Sequence, residues 1–226
     1  MSLQELREKL HLTQQQVAAR LGLSQSYVSM LETGQRRLPA PLARRVVRLF
    51  KAPPTWHPLP DPFQPGRRVD PDWLARQLGA LGYPGYRYLA GKTRAQNPAF
   101  VLLTALAADN LEPRAFEALP WLALRYPDMD GEWLARNAKV FDLQNRLGFV
   151  VTLARGFAEK RLDDSRMHPL QNLAASLENS RLAREDRLPD VAGSKFAYET
   201  TKARRSQEAE YWNLVTGWRL EHFQYA

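Results

Sequence analysis

The chain has 226 residues, 44% of them hydrophobic, no cysteine and a formal net charge of +8. This length and hydrophobic content suffice for one large or two modest domains, and we expect two. The lack of cysteine excludes disulfide bonds and thiolate metal ligands. No stretch approaches 18 uninterrupted apolar residues, and Glu5 and Glu8 interrupt any apolar start. We therefore expect neither a membrane helix nor a secretory signal, and we place the protein in the cytoplasm.

The pattern over residues 13–34 predicts two short amphipathic helices separated by a tight turn. Thr13 and Ser24 are good N-caps, and Gly22 suits a turn with a positive φ angle. Five apolar side chains are expected to point inward: Val17, Ala18, Leu21, Val28 and Leu31. Three short polar side chains are left outward near the start of the second helix: Gln25, Ser26 and Ser29. Such side chains reach base edges when a helix enters a major groove.

Residues 2–51 resemble the Cro/C1 type of phage-repressor helix-turn-helix. In that family a Gln opens the first helix of the motif, which Gln14 matches, and the second helix ends in E-x-G, which Glu32 to Gly34 match. The family also has an Arg seven residues before the Gln, and Arg7 is at that position. The resemblance implies a five-helix DNA-binding domain in which Arg7 pairs with Glu32.

The same resemblance implies how the domain contacts DNA. It assigns base contacts to the first turn of the second helix and the turn that follows: Gln25, Ser26 and Ser29. It assigns phosphate contacts to the start of the first motif helix and the loop after the second: Gln14, Arg36 and Arg37. Tyr27 departs from the family, which often has a small residue there, so it is either a third DNA contact or a packing residue.

The distribution of charge supports this interpretation over that of an ordinary helical hairpin. Residues 1–52 contain nine Lys or Arg and three Glu, a net charge of +6, whereas the other 174 residues contain 23 basic and 21 acidic groups, a net of +2. A basic surplus concentrated in the fifth of the chain that contains the motif favours binding to a phosphate backbone.

A proline-rich segment follows, and it sets our predicted domain boundaries. Seven of the 16 prolines lie here: Pro53, Pro54, Pro58, Pro60, Pro62, Pro65 and Pro71. Because no helix continues through such density, we expect a stiff, extended linker over 53–72, between a domain of residues 1–52 and one of residues 73–226. Its apolar residues Trp56, Leu59 and Phe63 suggest that it lies against one of the domains.

Helical periodicity predominates after Trp73, so the predicted fold is all-α. The N-cap and proline signals predict helices from Trp73 after a cap at Asp72, from Pro98 after Asn97, and from Pro113. The remaining predicted helices are a long one from Asp130 towards Arg161, with weak points at Gly148 and Gly156, and two more over 170–187 and 202–223.

The last predicted helix carries aromatic residues. Trp212, Val215 and Trp218 are spaced i, i+3, i+6, which would form a ridge along one helix face. The candidate protein interface comprises Tyr211, Trp212, Trp218 and Phe223. The ridge either packs into the core of the second domain or forms a dimer or partner interface.

No catalytic, cofactor or metal motif emerges from the sequence. The segment from Gly85 to Thr93 ends like a P-loop but has five residues between its glycines where the motif needs four. The acidic residues Asp128, Asp130 and Glu132 fit helix capping better than an EF-hand, and the four histidines are scattered. We therefore expect no enzyme activity, no cofactor and no metal.

Three functional classes remain for a DNA-binding protein with such a second domain. Residues 121–151 are similar to helix-turn-helix antitoxins paired with nucleotidyltransferase-type toxins, which favours an antitoxin that represses its own operon and neutralises a toxin. The alternatives are a small-molecule-responsive repressor and a phage-type repressor whose second domain only dimerises. In each case the expected DNA site is a double-stranded pseudopalindrome bound by a homodimer.

Overall fold

The computed structural model describes residues 3–91, 93–188 and 195–225, and the chain divides into two compact units, Met1–Leu59 and Pro60–Ala226. Thirteen α-helices account for most of the regular structure in these described ranges. The prediction of an all-α fold is confirmed, with one small addition. Two strands of two residues each form a short parallel pair in the second unit.

From residue 3 onward the first unit contains four α-helices: α1 (Leu3–Lys9), α2 (Gln14–Leu21), α3 (Gln25–Glu32) and α4 (Ala40–Phe50). A 3-10 helix at Pro54–Trp56 follows, so the fifth helix implied by the resemblance is present only as this single turn. Apolar side chains of α1, α2 and α4 form one core cluster with Val28 of α3, which is completely buried. This burial fixes which face of α3 is left outward.

The proline-rich segment is divided between the two units and does not form a separate linker. Trp56 packs against the core of the first unit. Phe63 is buried in the second unit, where its ring meets the edges or faces of Phe100, Trp133 and Phe141 at centroid distances of 5.1–6.1 Å. Trp133 also donates its indole N–H to the carbonyl of Pro60, at 3.0 Å. The aromatic residues explain why this segment is packed, since they bury apolar area that an exposed linker would leave in water.

The second unit is built around α10. Its elements, in chain order, are α5 (Pro71–Ala80), α6 (Pro98–Ala107), α7 (Pro113–Phe116), α8 (Ala118–Arg125), α9 (Gly131–Val140), α10 (Gln144–Lys160), α11 (Asp164–Glu178), β1 (Asp186–Arg187), α12 (Lys195–Ala203), α13 (Gln207–Tyr211) and β2 (Leu214–Val215). Two 3-10 helices, Pro84–Leu89 and Leu220–His222, complete it. Helix α10 packs against both α8 and α11 and is buried over most of its surface.

Several helix boundaries differ from those predicted. The long helix expected after Asp130 is broken at Asp142, whose φ of 58° places it in the left-handed region, rather than at Gly148 or Gly156. The N-cap of α5 is Asp70 rather than Asp72, because Pro71 takes the first helical position, where its missing N–H costs nothing. Asn97 and Asp130 do cap α6 and α9, as predicted.

The predicted single helix over 202–223 is wrong, and the aromatic ridge it would carry does not form. Helix α12 ends at Ala203, α13 ends at Tyr211, and Asn213 takes a φ of 51° before β2 pairs with β1. Trp212 is completely buried and Phe223 almost so, while Trp218 is half-buried and stacks near Phe223 at 5.4 Å. Of the four candidate interface residues only Tyr211 is exposed, so this cluster is mainly core.

None of the helices in the described ranges combines the length and apolar character needed to cross a bilayer.

Candidate nucleic-acid interface

Helices α2 and α3 are joined by a turn whose geometry the sequence determines residue by residue. The Thr13 hydroxyl accepts from the Gln16 backbone N–H at 3.2 Å, and the Gln16 side chain accepts from the Thr13 N–H at 2.8 Å, which completes a capping box. Gly22 ends α2 with a φ of 61°, where a side chain would be strained. Ser24 then caps α3 by accepting from the Tyr27 N–H at 3.2 Å.

The outward face of α3 presents the side chains expected to read bases. Gln25 and Ser26 are exposed, and Ser29, one turn later, is half-buried. The hydroxyls of Ser24 and Ser26 lie 3.0 Å apart, and their hydrogen bond positions the Ser26 side chain. Tyr27 is half-buried, and the guanidinium of Arg36 lies over its ring at 5.6 Å. The Tyr27 ring therefore helps to position the guanidinium of Arg36, which lies in the loop after α3.

A hydrogen-bonded network ties α1 and α2 to the end of α3. Arg7 donates from Nε to Glu32 Oε1 at 2.8 Å and from Nη2 to Oε2 at 3.1 Å, and its Nη1 donates to the carbonyl of Leu12. Gln14 donates to Glu32 Oε2 at 3.0 Å. The structure thus brings together the two residues predicted to pair. Burial alone would raise the pKa of Glu32, but the hydrogen bonds from Arg7 and Gln14 and the positive charge of Arg7 lower it below its ordinary value.

The comparison with known families bears on this unit alone. Residues 3–57 match the helix-turn-helix family model. The N-terminal unit is a helix-turn-helix domain of the Cro/C1 type. Comparison with curated proteins and with solved structures gave no match. The helix-turn-helix domain makes this protein a DNA-binding transcription regulator.

In the helix-turn-helix domain, the predicted phosphate contacts occupy two places. Arg36 and Arg37 are exposed in the loop between α3 and α4. Gln14 opens α2, where the first backbone N–H groups of a helix have no partner inside it and point towards any bound anion. Its side chain is already held by Glu32, which leaves one amide proton and the amide oxygen for other contacts.

Arg45 is a further candidate DNA contact of this domain, and the sequence pattern does not indicate it. Arg45 is exposed on α4, and its guanidinium would stand 3.7–3.8 Å from a Cβ placed on Gly22, so it lies over the turn between α2 and α3. It also lines a hollow with Ser24 and Tyr27 at the start of α3, the second motif helix and hence the recognition helix. Its contribution to the positive charge was counted, but nothing in the sequence indicated that α4 folds back on the turn.

In the described parts of the second unit and of the helix-turn-helix domain, no group of three or more His, Asp or Glu side chains converges to form a metal site.

Proposed function

We propose that this regulator is an antitoxin: it represses its own operon through the helix-turn-helix domain and neutralises a toxin through the second unit. The observation that carries the proposal is an open groove of about 820 Å³ between α9 and α11, with a mainly apolar lining. A concave, mainly apolar hollow of this volume is typical of a site where another molecule binds.

The charge of the second unit argues that its partner is not DNA. Residues 60–226 carry 23 basic and 21 acidic groups, whereas residues 1–59 carry nine and three. Nearly balanced charge gives no general attraction to a phosphate backbone, so DNA binding is left to the first unit. A unit of this size with an apolar groove suits a protein partner better than a role in dimerisation alone, and we assign it no catalytic role.

On DNA we propose a homodimer on a pseudopalindromic operator. One recognition helix reads few base pairs, so two domains engage half-sites about 34 Å apart, one turn of the double helix. Gln25 and Ser26 read bases, assisted by Ser29, while Gln14, Arg36 and Arg37 fix the position of the domain on phosphates.

A small-molecule-responsive repressor is the second candidate. The observation in its favour is the same groove, because its volume falls within the range of about 300–1,000 Å³ that is typical of ligand sites. In that case an apolar ligand would occupy the groove and change the affinity for the operator.

Two measurements on the intact protein test the antitoxin proposal. The product of the adjoining gene is expressed alone and together with this protein, and growth is followed. We expect arrest by that product alone and rescue on co-expression. In parallel, the protein should bind the promoter of its own operon. If the adjoining product is harmless, or if it arrests growth despite co-expression of a folded regulator, the proposal is wrong.

A further inference from the structure

Helix α12 contributes none of its side chains from Phe196 to Ala203 to the core of the second unit. Each of these residues is half-buried or exposed, and Phe196, the most hydrophobic of them, is 82% exposed. The next helix, α13, differs, because Ala209 is completely buried and Trp212, directly after the helix, is buried against α10. A helix in a protein gains most of its stability by burying an apolar face. Contacts of another kind must therefore hold α12 in place.

The side-chain contacts of α12 are polar and centre on one carboxylate. Glu185, immediately before β1, accepts hydrogen bonds from the Tyr198 hydroxyl at 2.9 Å and from Lys202 Nζ at 2.7 Å. These two donors lie one turn apart and so face the same side of the helix. Arg205, two residues beyond the end of α12, donates to the same carboxylate at 3.1 Å. The guanidinium of Arg187 in β1 lies over the Tyr198 ring, 4.1 Å from its centroid.

This attachment is sensitive to salt. The hydrogen bonds from Lys202 and Tyr198 lower the pKa of Glu185 below its ordinary value, so the carboxylate is ionised at neutral pH. The side chains of Glu185 and Lys202 are 32% and 39% exposed, so dissolved ions reach the pair. Ion pairs with this exposure weaken as the ionic strength rises, whereas apolar packing does not depend on charge.

The length of α12 determines what happens when it leaves the body of the unit. It has nine residues, and isolated helices shorter than about 12–15 residues are marginal in water. A detached α12 therefore unfolds and exposes its backbone amides. Helix α13 stays in place, because it is anchored by the buried Ala209 and capped by Ser206, which accepts from the Ala209 N–H at 3.2 Å. The segment 204–206 is thus the pivot.

We infer that α12 is a detachable helix, held over β2 by the contacts of Glu185 with Tyr198 and Lys202, and that it opens as a unit while α13 stays docked. In the closed state α12 lies against β2, whose Leu214 and Val215 are completely buried. Opening uncovers this side of β2 and creates an apolar surface that the closed state lacks. The second unit thus has two states whose populations change with ionic strength, whether or not it neutralises a toxin.

Hydrogen exchange of the purified full-length protein, followed by mass spectrometry, measures the opening of α12 separately from the rest of the unit. The salt concentration is raised from about 0.01 M to about 1 M, which shortens the range of electrostatic interactions roughly tenfold. We expect the backbone amides of α12 to exchange about tenfold faster at high salt. The amides of α10 and α13 should change little, since their anchors are apolar.

Three variants test whether Glu185 is the cause. Glu185→Gln removes the central charge and keeps the shape of the side chain, and it should speed exchange of α12 about tenfold at low salt and remove most of the salt dependence. Glu199→Gln removes the same charge from an exposed position on α12 itself, so it is the matched control and should behave like the wild type. Tyr198→Phe keeps the ring beneath Arg187 and removes only the hydroxyl, so a smaller effect, about threefold, is expected.

Three results would overturn the inference. If salt leaves the exchange of α12 unchanged and Glu185→Gln behaves like Glu199→Gln, contacts other than those of Glu185 hold the helix. If α12 exchanges only together with α10 and α13, it opens by unfolding of the whole unit rather than by itself. If α12 is unprotected even at low salt, the closed state is not populated in solution.

Discussion

The guanidinium of Arg7 binds both carboxylate oxygens of Glu32, 25 residues away, through Nε at 2.8 Å and Nη2 at 3.1 Å. The Glu32 side chain is 3% exposed and that of Arg7 16%, so the pair is largely shielded from solvent. Its position connects the first helix of the domain to the last turn of the recognition helix. The pair therefore holds the C-terminal end of α3 against α1.

The first prediction is that Arg7→Ala destabilises the helix-turn-helix domain by about 3–5 kcal/mol, because it leaves the carboxylate of Glu32 buried without its main partner. Hydrogen exchange of the backbone amides of α1 to α3, followed by mass spectrometry, measures the loss of stability in this domain separately from that of the second unit. Arg37→Ala removes the same charge from an exposed position and is the control. Equal exchange in the two variants would show that the ion pair contributes little.

The second prediction concerns acid. Since the folded-state pKa of Glu32 is lowered, its stabilising contribution is complete above the ordinary carboxylate pKa of about 4.3 and is lost as the pH falls from there through the lower folded-state value. Glu32→Gln should show a shallower loss of stability over this acid range than the wild type. The methyl NMR signals of Val28, which is completely buried in this domain, report the folded fraction during an acid titration. Parallel titration curves would contradict the prediction.

Much of the first domain could be predicted because its determinants are local. The cap at Thr13, the left-handed turn at Gly22 and the cap at Ser24 each depend on a few neighbouring residues, and a single sequence contains those residues. The pairing of Arg7 with Glu32 came from the family resemblance, since nothing local links two residues so far apart. The role of Arg45 depends on how α4 folds back, which periodicity does not encode.

The end of the chain shows why the second unit was harder to predict. The spacing of Trp212, Val215 and Trp218 fits one helix face, but a helix there would conflict with contacts formed elsewhere in the fold. Val215 is held in β2 by pairing with Arg187 of β1, and Trp212 is fixed by a hydrogen bond to Thr152 on α10. Tertiary contacts of this kind override local periodicity, and a single sequence does not reveal them.

The third prediction separates base reading from phosphate binding. Gln25→Ala should reduce the preference for the operator over unrelated DNA by about 1–3 kcal/mol, because it removes a donor and an acceptor from the base-facing turn. Arg36→Ala should weaken binding to all sequences alike and lower the salt slope by about one. Fluorescence anisotropy with operator and scrambled duplexes over a salt series measures both quantities. An unchanged preference in Gln25→Ala would mean that another face of α3 meets the bases.

The fourth prediction tests Arg45, whose guanidinium lies over the turn at Gly22. Arg45→Gln should lower the affinity for every DNA sequence and lower the salt slope by about one, like Arg36→Ala, because a cation at this position meets phosphate rather than bases. Lys160→Gln, in the second unit, removes one positive charge far along the sequence and controls for net charge. Equal salt slopes in these two variants would exclude Arg45 from the interface.

The fifth prediction concerns the core of the second unit, where Gly148 of α10 faces Trp212. A Cβ placed on Gly148 would lie 2.4–2.5 Å from three atoms of the Trp212 ring. The Trp212 ring is completely buried. Its Nε1 donates to Thr152 Oγ1 at 2.8 Å, and the Thr152 hydroxyl donates to the carbonyl of Gly148 at 2.9 Å. These two hydrogen bonds hold the ring against α10 and oppose its moving aside. Gly148→Ala should therefore destabilise the second unit by about 1–3 kcal/mol through overpacking.

Gly156→Ala on the same helix is the matched control for Gly148→Ala. Its new methyl group would lie 3.2 Å from the two terminal carbons of Leu220, a flexible, half-buried side chain that need shift by only a few tenths of an ångström. We therefore expect a much smaller effect on the free energy of unfolding. Trp212→Phe combined with Gly148→Ala tests the cause directly, because the smaller ring relieves the clash. Denaturant unfolding of the wild type, the two single variants Gly148→Ala and Trp212→Phe, and the double variant gives the coupling energy by a double-mutant cycle. If Gly148→Ala costs no more in the wild-type background than beside Phe at position 212, contact with the Trp212 ring is not what requires glycine at position 148.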